Sequence, residues 1–290
     1  MNNMELDAML QKGIILLDGA TGSELRRRGM PVGIATELWA WEHPDIVTEL
    51  QREYVDAGSD IIYAPTFSAN RLSLRARGIE DRIEALNADL VVLSRRAAGD
   101  RALVAGDLAP TGQSLEPIGT LTYEALFDVY REQIELLNKA GVDLIVAETM
   151  MSIDETVCAV EAARDVCDLP VLCTLTMEAD GHLMFGGTAA EAVETLQAVG
   201  ASAVGLNCSV GPDQLEAVVR GMKAVAEVPV IAKPNAGIPV IDAQGLAHYS
   251  MGPEAFVKAM RALVEAGAQI VGGCCGTNPE YIRLLNAALR

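Results

Sequence analysis

Eight short runs of almost unbroken apolar residues recur along the chain. They lie at 13–18 (GIILLD), 60–66 (DIIYAPT), 102–107 (ALVAGD), 143–149 (DLIVAET), 170–176 (PVLCTLT), 202–207 (SAVGLN), 229–234 (PVIAKP) and 269–274 (QIVGGC). A run with no alternation of apolar and polar positions is the mark of a parallel strand covered on both faces. The intervening segments carry helical spacing instead, as in PDIVTELQREYVDAG (44–58), YEALFDVYREQIELLNKAG (123–141), TAAEAVETLQAVG (188–200) and PEAFVKAMRALVEAG (253–267). Each of these four stops at a glycine, a common helix C-terminal signal. Strand and helix alternate eight times with no Pro/Ser-rich linker or low-complexity tract between them. The pattern predicts a single α/β domain over residues 1–290, a (β/α)₈ TIM barrel. A doubly wound open sheet is the competing architecture. Against it, the first strand runs into DGATGSELRRRG, which lacks the G-x-G-x-x-G spacing of a dinucleotide turn.

Composition narrows the class of partner. Of 290 residues half are apolar, so a sizeable core can form. Lys plus Arg is 22 against 40 Asp plus Glu, a net charge of −18. Such a surface repels phosphate backbones and anionic lipid, so neither nucleic acid nor membrane is expected as a partner. The opening MNNMELDAML has no basic stretch followed by a long apolar one, so no secretory signal is expected. No apolar run approaches the roughly 20 residues of a membrane span. The six cysteines are unevenly spaced, unlike a disulfide framework, and point to reduced thiols in a cytoplasmic protein.

In a barrel of this kind the chemistry sits at the C-terminal ends of the strands. The residues there are Asp18 to Thr21, Thr66 and Phe67, Asp107, Glu148 and Thr149, Thr176, Asn207 and Cys208, Asn235, and Cys274 and Cys275. Helix capping accounts for part of this polarity. Cys158, Cys167 and Cys173 lie in apolar contexts and read as small buried hydrophobes. Cys208, Cys274 and Cys275 instead follow strands six and eight, two steps apart on one rim. Three converging thiolates suit zinc, and three protein ligands leave it an open position. Gly272, Gly273 and Gly276 give the backbone freedom to aim adjacent side chains at one point. Coincidence or a vicinal disulfide is the alternative reading of the Cys-Cys pair. His43, His182 and His248 read as loop or surface residues, so no fourth ligand is evident.

Several segments together resemble the homocysteine S-methyltransferase family: LLDGATGSEL, APTFSANRLSL, AETMMSIDE, VGLNCSVGP, KPNAGIP and VGGCCGTNPE. Within that family, the stretch GDLAPTGQSLEPIGTLTYEALFDVYREQIELL is most similar to the homocysteine-binding module of cobalamin-dependent methionine synthase. The resemblance implies Zn²⁺ on Cys208, Cys274 and Cys275, and homocysteine as the methyl acceptor. It implies methylcobalamin, or a methylated corrinoid protein supplied separately, as donor. Folate- and cobalamin-binding modules are not among these residues, and betaine or S-methylmethionine are the alternative donors. A barrel with a structural zinc or a redox thiol pair is the non-enzymatic alternative.

The resemblance also implies an amino-acid site. Asp18 and Glu148 are expected at the ammonium of the substrate, with capping or an ion pair to Lys233 as their alternative role. The backbone N–H groups of Gly19 and Ala20 are expected at its carboxylate. Thr66 and Asn70 come next as substrate contacts, with helix capping the alternative for Thr66 and surface solvation the alternative for Asn70. Asn207 and Asn235 are expected to orient loops rather than touch substrate.

Overall fold

Each of the eight apolar runs forms a strand of one parallel sheet in the computed structural model, which describes residues 1–242 and 247–290. The strands are β1 (Ile15–Leu16), β2 (Ile61–Tyr63), β3 (Leu103–Leu108), β4 (Leu144–Met150), β5 (Val171–Leu175), β6 (Ala203–Asn207), β7 (Val230–Lys233) and β8 (Ala268–Val271). Their order in the sheet is β1-β8-β7-β6-β5-β4-β3-β2, and a single parallel bridge from Leu17 to Ile61 brings β1 back to β2. The barrel expected from the sequence is therefore present, closed by a narrow seam. Asp60 reinforces that seam: its Oδ2 accepts the Leu16 N–H at 2.7 Å, and its own N–H donates to Leu16 O at 2.7 Å. The C-terminal Arg290 donates to Ile14 O at 2.7 Å and pairs with Asp60 on the same seam.

The continuous apolar runs are explained by two cores. Inward-facing Ile15, Leu17, Tyr63, Val146, Leu172 and Ile231 fill the barrel. Their neighbours Leu16, Ile62, Val104, Ile145, Val204 and Val271 face outward and pack under the helices. The outer layer also takes Cys158 and Cys173 and the partly buried Cys167, the structural role expected of them. Helices Pro44–Ala57, Tyr123–Ala140, Ala189–Ala198 and Pro253–Glu265 match the four amphipathic stretches. The first two end at Gly58 and Gly141, which adopt left-handed backbone at φ 108° and 86°. No helix among the described residues is long and apolar enough to cross a membrane.

Two features escape the strand-helix count. Helix Asn3–Leu10, opened by an Asn2–Glu5 capping box, places Leu6 in the barrel-interior cluster beside Ile15 and Ile61. After β7, Pro239–Ile241 and Ala247–Tyr249 pair as an antiparallel hairpin whose first strand is fully exposed. Neither has a strong pattern: the helix is short with one buried position, and the hairpin has no buried face.

Leu6 is 1% exposed, so its truncation should leave a void within the barrel cluster. Leu6→Ala is expected to cost about 2–5 kcal/mol in denaturant unfolding. A loss under about 1 kcal/mol would show that this helix lies outside the cooperative core.

Candidate active site

Val271 is the last paired residue of β8, and the glycine-cysteine segment that follows is pinned to its neighbours by main-chain hydrogen bonds. Gly272 N–H donates to Ala232 O at 3.1 Å and Cys274 N–H to Pro234 O at 2.8 Å, both on the β7 side. Gly273 N–H reaches Asp18 O at 3.1 Å, on the β1 side. Thr277 Oγ1 donates to Cys274 O at 2.8 Å and accepts the Ala20 N–H at 3.2 Å. Of the three glycines, Gly276 takes left-handed backbone at φ 84°. Gly272 and Gly273 are needed for space instead: a Cβ would lie 2.8 Å from Asp18 O at the first and 2.5 Å from Thr277 Oγ1 at the second.

Cys208 meets this segment from the end of β6. Its Sγ lies 3.7 Å from that of Cys275, and the three sulfurs of Cys208, Cys274 and Cys275 fall within 4.8 Å of one another. A tetrahedral zinc with Zn–S bonds of about 2.3 Å spaces its sulfurs about 3.8 Å apart, so the residues fit that ion. Protons satisfy the cluster poorly. The Cys275 thiol is held well below its ordinary value by hydrogen bonds from the Cys208 and Cys274 thiols and from the Tyr249 hydroxyl, while Cys208 is pushed up. One sulfur ionises and its neighbours then resist; a divalent cation lets all three do so.

Cys208 has φ 51° and Thr149 has φ 59°, the two non-glycine residues with positive φ among those described. Such backbone costs of order 1–3 kcal/mol per residue and persists where neighbours enforce it. Asn207 is that neighbour. Its Oδ1 accepts the Thr149 N–H at 2.8 Å, and its Nδ2 is directed at Thr149 Oγ1 (2.8 Å), Glu148 Oε2 (3.2 Å) and Cys274 Sγ (3.9 Å). The pairing of β4 with β5 shifts register between Ala147 and Met150, so Glu148 and Thr149 sit in a bulge. Bulges re-aim side chains next to active sites. Asn235 donates to Ser209 O at 2.9 Å, bracing the loop after Cys208.

A cavity of about 550 Å³ opens onto the three cysteines and is walled by Tyr63, Asp107, Glu148 and Lys233. That size suits a small-molecule ligand. Asp18 also lines it, but both of its oxygens face protein groups: Oδ2 accepts the Tyr63 N–H at 2.8 Å, and Oδ1 lies 3.4 Å from Lys233 Nζ. The ion pair to Lys233 is thus the role the structure gives Asp18. Asp107 Oδ1 and the Tyr63 hydroxyl are buried without a hydrogen-bond partner. Burial, and then the charge of Glu148, pushes the Asp107 carboxyl well up. Burial also pushes Glu148 up to about 8, with Cys274 and Asp18 adding to the effect and Lys233 opposing it. Burial works against the Lys233 charge, but Asp18 and Glu148 outweigh it and hold the ammonium well above its ordinary value.

Three expected contacts are spent elsewhere. The Ala20 N–H is occupied by Thr277, which leaves Gly19 as the cavity-lining N–H of that turn. Thr66 is fully buried, its hydroxyl bonded to the main chain of Asp107 at 2.9 and 3.0 Å; it braces β2 against β3 and caps no helix. Asn70, with surface solvation as its alternative, is fully buried and caps helix Arg71–Arg75. Tyr63 and Tyr249 are the site residues that sequence reasoning left out, while Asp107 was placed on the rim and Lys233 named as an ion-pair partner without a substrate role. Asp107 and Lys233 carried a signal, each being a charge that ends an otherwise apolar run. His43 stacks on Trp39, and His182 and His248 pair with Asp180 and Asp242, all away from the cysteines.

A family model described as homocysteine S-methyltransferase matches residues 15–289. Methionine synthases of Mycobacterium leprae (strain TN) and Mycobacterium tuberculosis (strain ATCC 25618 / H37Rv) are each 30% identical over 302 residues, covering 98% of this chain. The chain spans about a quarter of their length, 25% in each case. The homocysteine methyltransferase MmuM from Escherichia coli has a solved metallated form similar to this structure, with TM-score 0.82 and 25% identity. The match covers 97% of this chain and 99% of that one. Its oxidized form gives TM-score 0.84 over 99% of both chains.

The raised Glu148 carboxyl links stability to pH. Its folded value near 8 lies above the ordinary 4.5, so the folded state holds this proton more tightly. That contribution is fully present below about pH 4.5 and is lost as pH rises through about 8. In denaturant titrations of metal-free protein, Glu148→Gln is expected to flatten this decline. Identical slopes in the two proteins would remove Glu148 as its source.

Proposed function

The chain belongs to the homocysteine S-methyltransferase family, and we propose that it transfers a methyl group to the thiol of homocysteine, giving methionine, at the floor of the cavity. The observation that carries this reading is the convergence of three cysteine sulfurs on a pocket that also presents carboxylates for an amino-acid ammonium. All three cysteines line the pocket, as a site that admits a fourth sulfur requires and a closed structural site does not.

Cys208, Cys274 and Cys275 would hold zinc. What bound zinc supplies is an acceptor in thiolate form at neutral pH, where a free thiol of pKa about 8.5 is only a few per cent ionised. The chain's own residues do the positioning. Glu148, on the interior-facing side of β4 beyond Val146, and Asp107, with an unpartnered oxygen, together take the substrate ammonium. An ammonium there provides the positive charge that burial denies these carboxylates. Asn207 ties Glu148 to Cys274, so the group that orients the amino-acid end and the group that anchors sulfur move as one. The Gly19 N–H is the remaining main-chain donor for the substrate carboxylate. The apolar wall of Ile34, Pro65 and Phe67 keeps water from the nucleophile.

For the donor, the likeness to methionine synthases supports a methylcorrinoid, either methylcobalamin itself or a methylated corrinoid-binding protein as partner. A screen of methylcobalamin, a methylated corrinoid protein, betaine and S-methylmethionine against homocysteine tests this; turnover with betaine alone would overturn the corrinoid reading.

Replacing any one of Cys208, Cys274 or Cys275 by alanine is expected to weaken zinc affinity more than about 100-fold and abolish turnover, with far-UV circular dichroism unchanged. Full activity in metal-free wild-type protein would refute the proposal. Glu148→Gln is expected to raise the homocysteine KM about 10- to 100-fold, as loss of a charged hydrogen bond does. An unchanged KM would take Glu148 out of the substrate site.

A further inference from the structure

Lys233 is the one charged residue of the cavity floor that the methyl-transfer chemistry leaves without a task. It ends β7, is 3% exposed, and lines the same cavity as Asp107 and Glu148. Its Nζ lies 3.4 Å from Asp18 Oδ1 and 4.9 Å from the centre of the Tyr63 ring. An ammonium carries three donors. Asp18, the only carboxylate within ion-pair distance among the described residues, can take one or two of them. Beside it the Tyr63 hydroxyl is buried with no hydrogen-bond partner. Burying a cation whose donors are incompletely matched is unfavourable by several kcal/mol unless a ligand completes the shell.

The floor thus divides by charge. Asp107 and Glu148 offer acceptors with room for a cation, and Lys233 with the Tyr63 hydroxyl offers donors with room for an anion. An α-amino acid carries both groups on one carbon. We infer that Lys233 reads the carboxylate of the amino-acid acceptor, with Asp18 as the positioning residue that holds its ammonium against the cavity wall. The inference rests on the homocysteine reading above and deepens it: the site selects a thiol that carries a carboxylate over a simple aminothiol.

The test is calorimetric binding to the full chain supplied with zinc. The probes are methionine, the amine left when methionine loses its carboxylate, and the acid left when it loses its amino group. Lys233→Met is expected to weaken methionine and the acid about 10- to 100-fold while the amine stays within about twofold. Asp18→Asn should shift the same methionine-to-amine ratio in the same direction. If the single Lys233 variant fails to fold, Asp18→Asn with Lys233→Met removes both charges together and is expected to show the same selective loss. Equal weakening of all three probes, or none, overturns the assignment to Lys233. Wild-type protein that binds none of them overturns the homocysteine reading as well, whereas a wild-type preference for methionine that survives Lys233→Met overturns this inference alone.

Discussion

Three sulfur atoms held within 4.8 Å of one another are the constraint on which the rest of the site depends. Thiols so placed cannot all ionise while only protons are available, because each new negative charge raises the cost of the next. The arrangement suits a cation, and the surrounding backbone keeps the sulfurs together. The turn after β8 is fastened to β7 through Ala232 and Pro234 and to β1 through Asp18. Cys208 accepts a left-handed backbone to arrive from the other side. Strain at a binding residue persists only where the scaffold is stiff enough to enforce it.

Asn207 does much of that enforcing, and it also couples the two halves of the site. One amide side chain touches the strained Thr149, the carboxylate of Glu148 and the sulfur of Cys274. The electrostatic field around it is unbalanced: the buried carboxylates of Asp18 and Asp107 and the partly buried one of Glu148 line the cavity with a single lysine. Pairing Asp18 with Lys233 leaves the other two carboxylates in excess, the imbalance on which the proposed ammonium contact rests. On the proposed reading, recognition of the amino acid and retention of the sulfur draw on one connected set of hydrogen bonds.

The architecture was legible in the sequence because strands covered on both faces must be continuously apolar, and all eight runs show it. The cysteine triad was legible for a related reason: once the strands are placed, their C-terminal ends are known to share a rim. Finer assignments depended on geometry that no spacing encodes. Thr66 and Asn70 exchanged roles, since both are fully buried and only the chain path decides which caps a helix. Asp18 lines the cavity and also lies 3.4 Å from Lys233, the pairing that the sequence allowed as its alternative role. The β4 bulge at Glu148 and Thr149 leaves no trace in AETMM, because a bulge is a relation between two strands.

The seam between β1 and β2 gives the molecule a mechanical asymmetry. β6 and β7 share four residues of ladder, from Val204 with Val230 to Asn207 with Lys233, whereas β1 joins β8 over two residues and β2 through one bridge. Cys208 therefore leaves the stiff arc of the barrel, whereas the Asp18-to-Thr21 turn leaves its shortest ladder. Force or thermal agitation would spread the wall at that joint first, like a split ring opening at its gap. Asp107, Glu148 and Lys233 come from β3, β4 and β7, so the charged part of the pocket stays on the arc away from that gap.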